Sequence, residues 1–187
     1  MKMKRNGLLA LMLASLTAVC LLTACNNGNS DNDDAPAAIA PAGTITTLNG
    51  KTFVCASGTI TMEFSTPQSK PDGSGGTYTK AITTYTNCNY ITGTSDTAAK
   101  YYSWDISGSS YYSNDITYSI SGNTITFTWP ATTYSSSSTK TATITGGNSF
   151  KISGESSSSG GMTYTIGDQV FTEGSAPSSG SMSTSYQ

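Results

Sequence analysis

Few residues in this chain are equipped for chemistry. Its 187 residues include no histidine, so no imidazole can activate a serine or cysteine, and the common nitrogen ligand for zinc is missing. Arg5 is the only arginine, which leaves the rest of the chain without a guanidinium fork for phosphate or carboxylate. Serines abound, yet no Gly-x-Ser-x-Gly elbow occurs. Ser69-Lys70 sets a hydroxyl beside an amine, but in a polar stretch between Pro67 and Pro71 that offers no dry pocket. Glu63, Asp105, Asp115 and Asp168 are carboxylates that folding could bring together. A paired-acid glycosidase is the one hydrolytic chemistry they leave open, and such enzymes are usually much larger. The expectation is a non-enzymatic protein with no metal and no cofactor. What remains are four cysteines, Cys20, Cys25, Cys55 and Cys88, and a large stock of aromatic side chains.

The first two cysteines lie in the N-terminal segment. Met1-Lys2-Met3-Lys4-Arg5 is basic, and an apolar run over 8–22 follows, broken by Ser15 and Thr17. The run is short of the roughly 20 apolar residues that span a bilayer comfortably, and a basic start before a short apolar run reads as a secretory signal. It ends Leu22-Thr23-Ala24-Cys25, which resembles the lipobox of bacterial lipoproteins: branched apolar, small, small, cysteine. The resemblance implies cleavage after residue 24 and acylation of Cys25, by palmitate or a similar chain, so that lipid ties the protein to a membrane. Cys20 follows the bulky Val19 and does not fit the pattern. Each buried methylene contributes about 0.8 kcal/mol, so several chains make a stable tether. Residues 25–43 are polar with scattered Pro and Ala and read as a disordered linker. Asn26, directly after the cysteine, resembles the outer-membrane sorting pattern of Gram-negative lipoproteins. The acidic run over 30–34 loosely resembles surface-export signals, and it lacks the glycine and closing Glu of a calcium loop.

Without residues 1–24 the chain keeps six lysines (nine basic residues less Lys2, Lys4 and Arg5) against 11 acids. A net-negative surface argues against nucleic acid. Cys55 and Cys88 are then the cysteines left unassigned. In the exported compartment that the lipobox implies, two cysteines most often form a disulfide, which would contribute about 3–4 kcal/mol through the unfolded state. Two buried free thiols are the alternative.

The elements that must position these residues read as strands throughout. After Cys25 no apolar repeat at helical spacing occurs, whereas alternation at period two is everywhere. Asn49-Gly50 separates two extended runs, Gly122-Asn123 lies between Ile120 and Ile125, and Gly146-Gly147-Asn148 leads into Phe150 and Ile152. Each is a hairpin signal. The pattern predicts nine or ten strands over 44–173. It indicates an all-β domain, an antiparallel meander forming a small β-barrel or a β-sandwich. A Ser/Gly/Pro-rich flexible tail is expected over 174–187, and hairpin tips at 135–138 and 156–159.

Leu48-Asn49-Gly50-Lys51-Thr52-Phe53 near the first strand resembles the Gly-x-aromatic opening of lipocalin-like (calycin-type) domains, although their usual Trp is absent. The resemblance implies a barrel with a pocket for a small apolar ligand. Tyr102, Trp104, Phe127, Trp129 and Phe150 are the candidate lining. Tyr101, Tyr111, Tyr112 and Tyr134 are off the apolar parity or in Ser-rich stretches, and suit stacking on sugar rings or on a protein. The recurring Thr-x-Thr segments read as the wet faces of strands. The chain is therefore expected to be a lipid-anchored envelope protein, placed in the outer membrane. It would bind a small apolar ligand or a protein partner, or act structurally; a glycan-binding module is the alternative.

Overall fold

From residue 44 on, apolar and hydroxyl side chains alternate between turn residues, a strand pattern and not a helical one, and a computed structural model is all-β over the described residues. It describes residues 44–187 apart from Asp72, Ser74, Ile106 and Tyr134. The expected signal segment 1–24, Cys25, the expected linker 25–43 and Tyr134 lie outside the described residues. Eleven strands follow one another: β1 (Thr52–Ser69), β2 (Thr77–Gly93), β3 (Ala98–Asp105), β4 (Ser110–Ser121), β5 (Thr124–Trp129), β6 (Ser138–Gly146), β7 (Ser149–Ile152), β8 (Glu155–Ser159), β9 (Met162–Ile166), β10 (Gln169–Glu173) and β11 (Ser181–Tyr186).

Every pairing between these strands is antiparallel. β1 pairs with β2, a meander runs from β2 to β7, and β10 lies between β7 and β1, closing a ring of eight strands. The expected choice between barrel and sandwich thus falls to a closed barrel, whose ring leaves no unpaired edge. Its walls are of unequal height. β1 and β2 are 18 and 17 residues long, and only the first part of β1 (Phe53–Cys55) meets β10. Beyond the ring, Ile60–Phe64 of β1 pair with β9, and β8 pairs with β9. On the other side Ala81–Thr86 of β2 pair with β11. The result is a five-stranded wing, in the order β8-β9-β1-β2-β11, rising from one side of the barrel.

Two sequence expectations change here. The expected flexible tail over 174–187 contains β11, bonded along β2 and closed by reciprocal Gln187–Lys80 backbone bonds. Serine-rich composition hides such a strand, because ladder bonds come from the backbone and need no apolar side chain. Likewise Ser156–Ser159 belong to β8, and the tip of that hairpin is Gly160-Gly161, both at positive φ.

Phe53, Phe127, Phe150 and Phe171 are fully buried inside the ring, with Ile91, Ile116, Ile125, Ala142, Ile144 and Cys55 around them. The end away from the wing is closed by the segment before β1. Ile45 and Leu48 are buried there, and the Leu48 N–H donates to the Tyr118 hydroxyl (3.0 Å), which itself donates to the Ser95 carbonyl (2.8 Å). A buried phenol between two backbone groups satisfies a chain that enters the core without a ladder partner.

Candidate functional site

Parity along the strands divides the expected ligand-binding aromatics into two groups. Phe127, Trp129 and Phe150 point inward. The Phe150 ring contacts Phe53 (5.2 Å between centroids), Phe127 (5.6 Å) and Phe171 (5.2 Å, stacked). An eight-stranded barrel has an interior just wide enough for its own side chains, and these four rings occupy it. Toward the wing the interior is capped by Trp129 against Tyr101 (5.7 Å) and by Tyr85. The surface depressions near Phe64 and the β8–β9 turn, and near Lys51 and Glu173, include none of the four rings in their linings.

Tyr102 and Trp104 point outward instead. Tyr102 stacks on Tyr90 (4.2 Å), Tyr90 meets Tyr111 edge-on (4.9 Å), and Tyr111 meets Trp104 (4.9 Å). This external cluster is largely self-covered: Tyr90 and Trp104 are each 8 % exposed. The chain entering β11 lies on it, for a Cβ at Gly180 would fall 2.8 Å from Trp104 Cγ. Of the expected glycan-contacting tyrosines among the described residues, Tyr111 lies on the opposite face from Tyr101 and Tyr112. Tyr101 is in the barrel mouth, Tyr111 is in the external cluster donating to the Asn87 carbonyl, and Tyr112 is exposed. Burial pushes the Tyr101 phenol well above its ordinary range.

Cys55 and Cys88 are two buried free thiols, not the expected disulfide. The strand register explains how they come close without bonding. Cys55 lies opposite Asn89, next to Cys88, and the pairing shifts between Cys55 and Ser57, where Asn87 adopts positive φ. Cys88 reaches the Ser181 carbonyl (3.2 Å) and the neighbourhood of Trp104, whereas Cys55 donates to the Ser57 carbonyl (3.4 Å). Burial, then the proximity of Cys88, raises the Cys55 pKa to about 11, so both the position and the protonation of this thiol argue against reactivity. The carboxylates are engaged singly: Glu63 with Lys80, Asp115 with Lys100, Asp168 with Lys151, and Asp105 with Ser107. Among the described residues no group of three or more potential metal ligands gathers.

The wing presents the other accessible aromatic surface. Directly opposed residues in an antiparallel ladder share a face, so the register sorts its side chains. Ile60, Met62 and Phe64 of β1 stand beside Ile166, Tyr164 and Met162 of β9. Tyr85 and Ala81 of β2 stand beside Met182 and Tyr186 of β11. Phe64, Tyr78 and Tyr186 form a chain of edge-on rings (5.6 and 4.8 Å) across that same face. It is continuous with the barrel interior, since Ile60 and Met182 pack against the core and Lys140, on the inward parity of β6, reaches Glu155 at 2.7 Å. Tyr85 marks the junction. Its ring lies over Gly58, where a Cβ would fall 2.1 Å from the phenol oxygen, and Gln169 donates to that oxygen (2.7 Å). Burial raises the Tyr85 pKa to about 12.

The opposite, outer face of the wing carries Thr59, Thr61, Thr84, Thr86, Thr163, Thr165, Ser156 and Ser158, with the Lys80–Glu63 pair among them. The contrast is one of kind. The inner face carries the methionines and aromatic rings, with the Thr83–Thr184 pair among them, and the outer face is mainly hydroxyl, with Ile82 on it. Phe64, Tyr78, Met162, Tyr164, Met182 and Tyr186 were not singled out from sequence. The available signal was their shared parity: Ile60-x-Met62-x-Phe64, Met162-x-Tyr164-x-Ile166 and Met182-x-Thr184-x-Tyr186. Comparison of the chain with protein-family models, with curated proteins and with solved structures finds no match in any of the three. What the fold defines is a filled, closed antiparallel barrel carrying a one-layer wing with a methionine- and aromatic-rich inner face.

Proposed function

We propose that the protein is a lipid-anchored, non-enzymatic module of the cell envelope, placed in the outer membrane, that binds a protein partner on the inner face of its wing. The observation that carries this reading is the wing's single layer. Its sheet has an apolar face of Met62, Phe64, Tyr78, Met162, Tyr164 and Tyr186, half-buried by one another and covered by no second layer among the described residues. Sheets with one apolar face are normally packed against another layer. Methionine with aromatic rings gives an adaptable surface suited to protein contact. The lipocalin-like resemblance is retained as a likeness of barrel architecture. The small-ligand role is not supported, because Phe127 and Phe150 fill the space a ligand would need. The glycan alternative has the exposed Tyr112 in its favour, near Tyr101 at the barrel mouth, while Tyr111 lies on the opposite face of the sheet.

Site-specific photo-crosslinking in intact cells tests the partner site. A photoreactive residue at Tyr164 should give a discrete adduct with another protein, and the same residue at Thr61, on the outer face of the wing, should not. Adducts equal at both positions, or none at Tyr164, would overturn the assignment. The anchor is tested separately: Cys25→Ser should abolish acyl labelling and move the chain out of the membrane fraction. Retention with undiminished label would exclude Cys25 as the lipid site.

A further inference from the structure

We propose that β11 is an association edge, on which a second copy of this chain pairs as an antiparallel strand about a two-fold axis. The proposal concerns the backbone edge of the wing and does not rest on the partner assigned to its inner face. β8 and β11 are the two ends of the sheet. The reciprocal bonds between Gln187 and Lys80, at 2.8 and 2.9 Å, make that pair a hydrogen-bonded one. In an antiparallel ladder such pairs recur every second residue, so Ser181, Ser183 and Ser185 also direct their backbone groups to β2. Met182, Thr184 and Tyr186 then direct theirs away from the sheet, along an edge that no strand covers among the described residues.

Over Ser181–Tyr186 that edge lacks charge and proline, two of the devices that blunt exposed strands, and the one irregularity, where the Thr79 and Lys80 N–H groups both donate to the Gln187 carbonyl, lies beyond Tyr186. Ser181-Met182-Ser183-Thr184-Ser185-Tyr186 carries no charge and no proline, and its pairing with β2 has no register shift. β8 is different: it begins with Glu155, which is held by Lys140. The β11 edge is also self-complementary. A two-fold axis at Thr184 sets Thr184 against its counterpart and Met182 against Tyr186 of the second copy. All three residues have outward backbone groups, so each pairing is a hydrogen-bonded one, with about six ladder bonds in all. The side chains brought together are a Thr–Thr pair and two sulfur–aromatic pairs, both favourable across strands. Tyr186 is already held by the Tyr78 ring at 4.8 Å. An isologous contact of this kind closes on itself as a dimer and does not propagate. It joins the two wings into one sheet with a continuous apolar face.

The test uses the full chain. Thr184→Cys, oxidised in membranes, should give a disulfide-linked dimer on a non-reducing gel, while Ser156→Cys on β8 should remain monomeric. In detergent solution the unmodified chain should sediment as a dimer. Thr184→Lys and Thr184→Glu should each weaken the dimer at least tenfold by setting like charges across the axis, and an equimolar mixture of the two should restore it. Thr184→Pro, which loses an N–H directed away from β2, should be monomeric with an unchanged melting temperature. A monomeric unmodified chain with no Thr184→Cys dimer would overturn the proposal. So would a Lys/Glu mixture that stays monomeric, or a folded Thr184→Pro variant that still dimerises.

Discussion

β1 and β2 pass through two environments, and the same alternation has different consequences in each. In the barrel, Phe53 and Ile91 face one another across the ladder and are fully buried. In the wing, Met62 and Ala81 face one another on the same two strands, and Met62 stays half-exposed. Alternation therefore decides which residues share a face, whereas closure decides how much water that face loses. The barrel curls its apolar face on itself and needs nothing further. The wing presents the continuation of that face with no opposing layer among the described residues. Stability should accordingly reside in the ring and recognition in the wing.

Paired truncations would break that division if it is wrong. Phe150 is fully buried against three other phenylalanines, so Phe150→Ala should cost about 3–5 kcal/mol in denaturant unfolding. Phe64 is half-buried and contacts Tyr78 on an open face. Phe64→Ala should cost about 1 kcal/mol, within the usual range for partly exposed sites, yet remove the adduct formed from Tyr164. Equal destabilisation by the two substitutions would mean that the wing is part of the core.

The ring was legible in the sequence because its signals are local. Hairpin turns at Gly122-Asn123 and Gly146-Gly147 and the parity of Ile125, Phe127, Ala142, Ile144, Phe150 and Ile152 lie within a few residues of one another. They set most of the β4–β7 meander. The wing was not legible as a unit, because it depends on pairings distant in the chain, such as Met62 with Tyr164 and Tyr85 with Met182. β11 reads as a loose tail because its serines match a linker in composition, although Met182, Thr184 and Tyr186 hold a strand's alternation. The thiols show the same limit. Composition and the compartment expected from the lipobox resemblance favour a bond between Cys55 and Cys88, but a one-residue irregularity at Asn87 decides where the sulfurs lie. For the expected site residues, parity separated Tyr102 and Trp104 from Phe127 and Phe150 only once the register was known.

A smaller effect sharpens the same contrast at the junction of barrel and wing. Burial raises Cys55 from 9.0 to about 11 and Tyr85 from 10.0 to about 12, so in the folded state both groups hold their protons longer than in the unfolded chain. Above pH 9 the unfolded chain releases the Cys55 proton first, which favours unfolding. The stability that Cys55 contributes is therefore complete below pH 9 and is lost as pH rises through about 11. The Tyr85 contribution follows between 10.0 and about 12. At 1.36 kcal/mol per pKa unit the Cys55 loss amounts to about 2–3 kcal/mol. Denaturant unfolding at pH 8 and pH 11 should show this decline, and Cys55→Ala should flatten the part that begins near pH 9. Thiol titration without reductant completes the measurement. Cys55 and Cys88 should be unreactive in the native chain at pH 8 and both reactive once it unfolds, whereas a chain that yields neither thiol on unfolding would carry the disulfide after all. If the alkaline decline persists unchanged in Cys55→Ala and Tyr85→Phe, the pH-sensitive groups lie outside the junction and the wing cannot be treated as its passive extension.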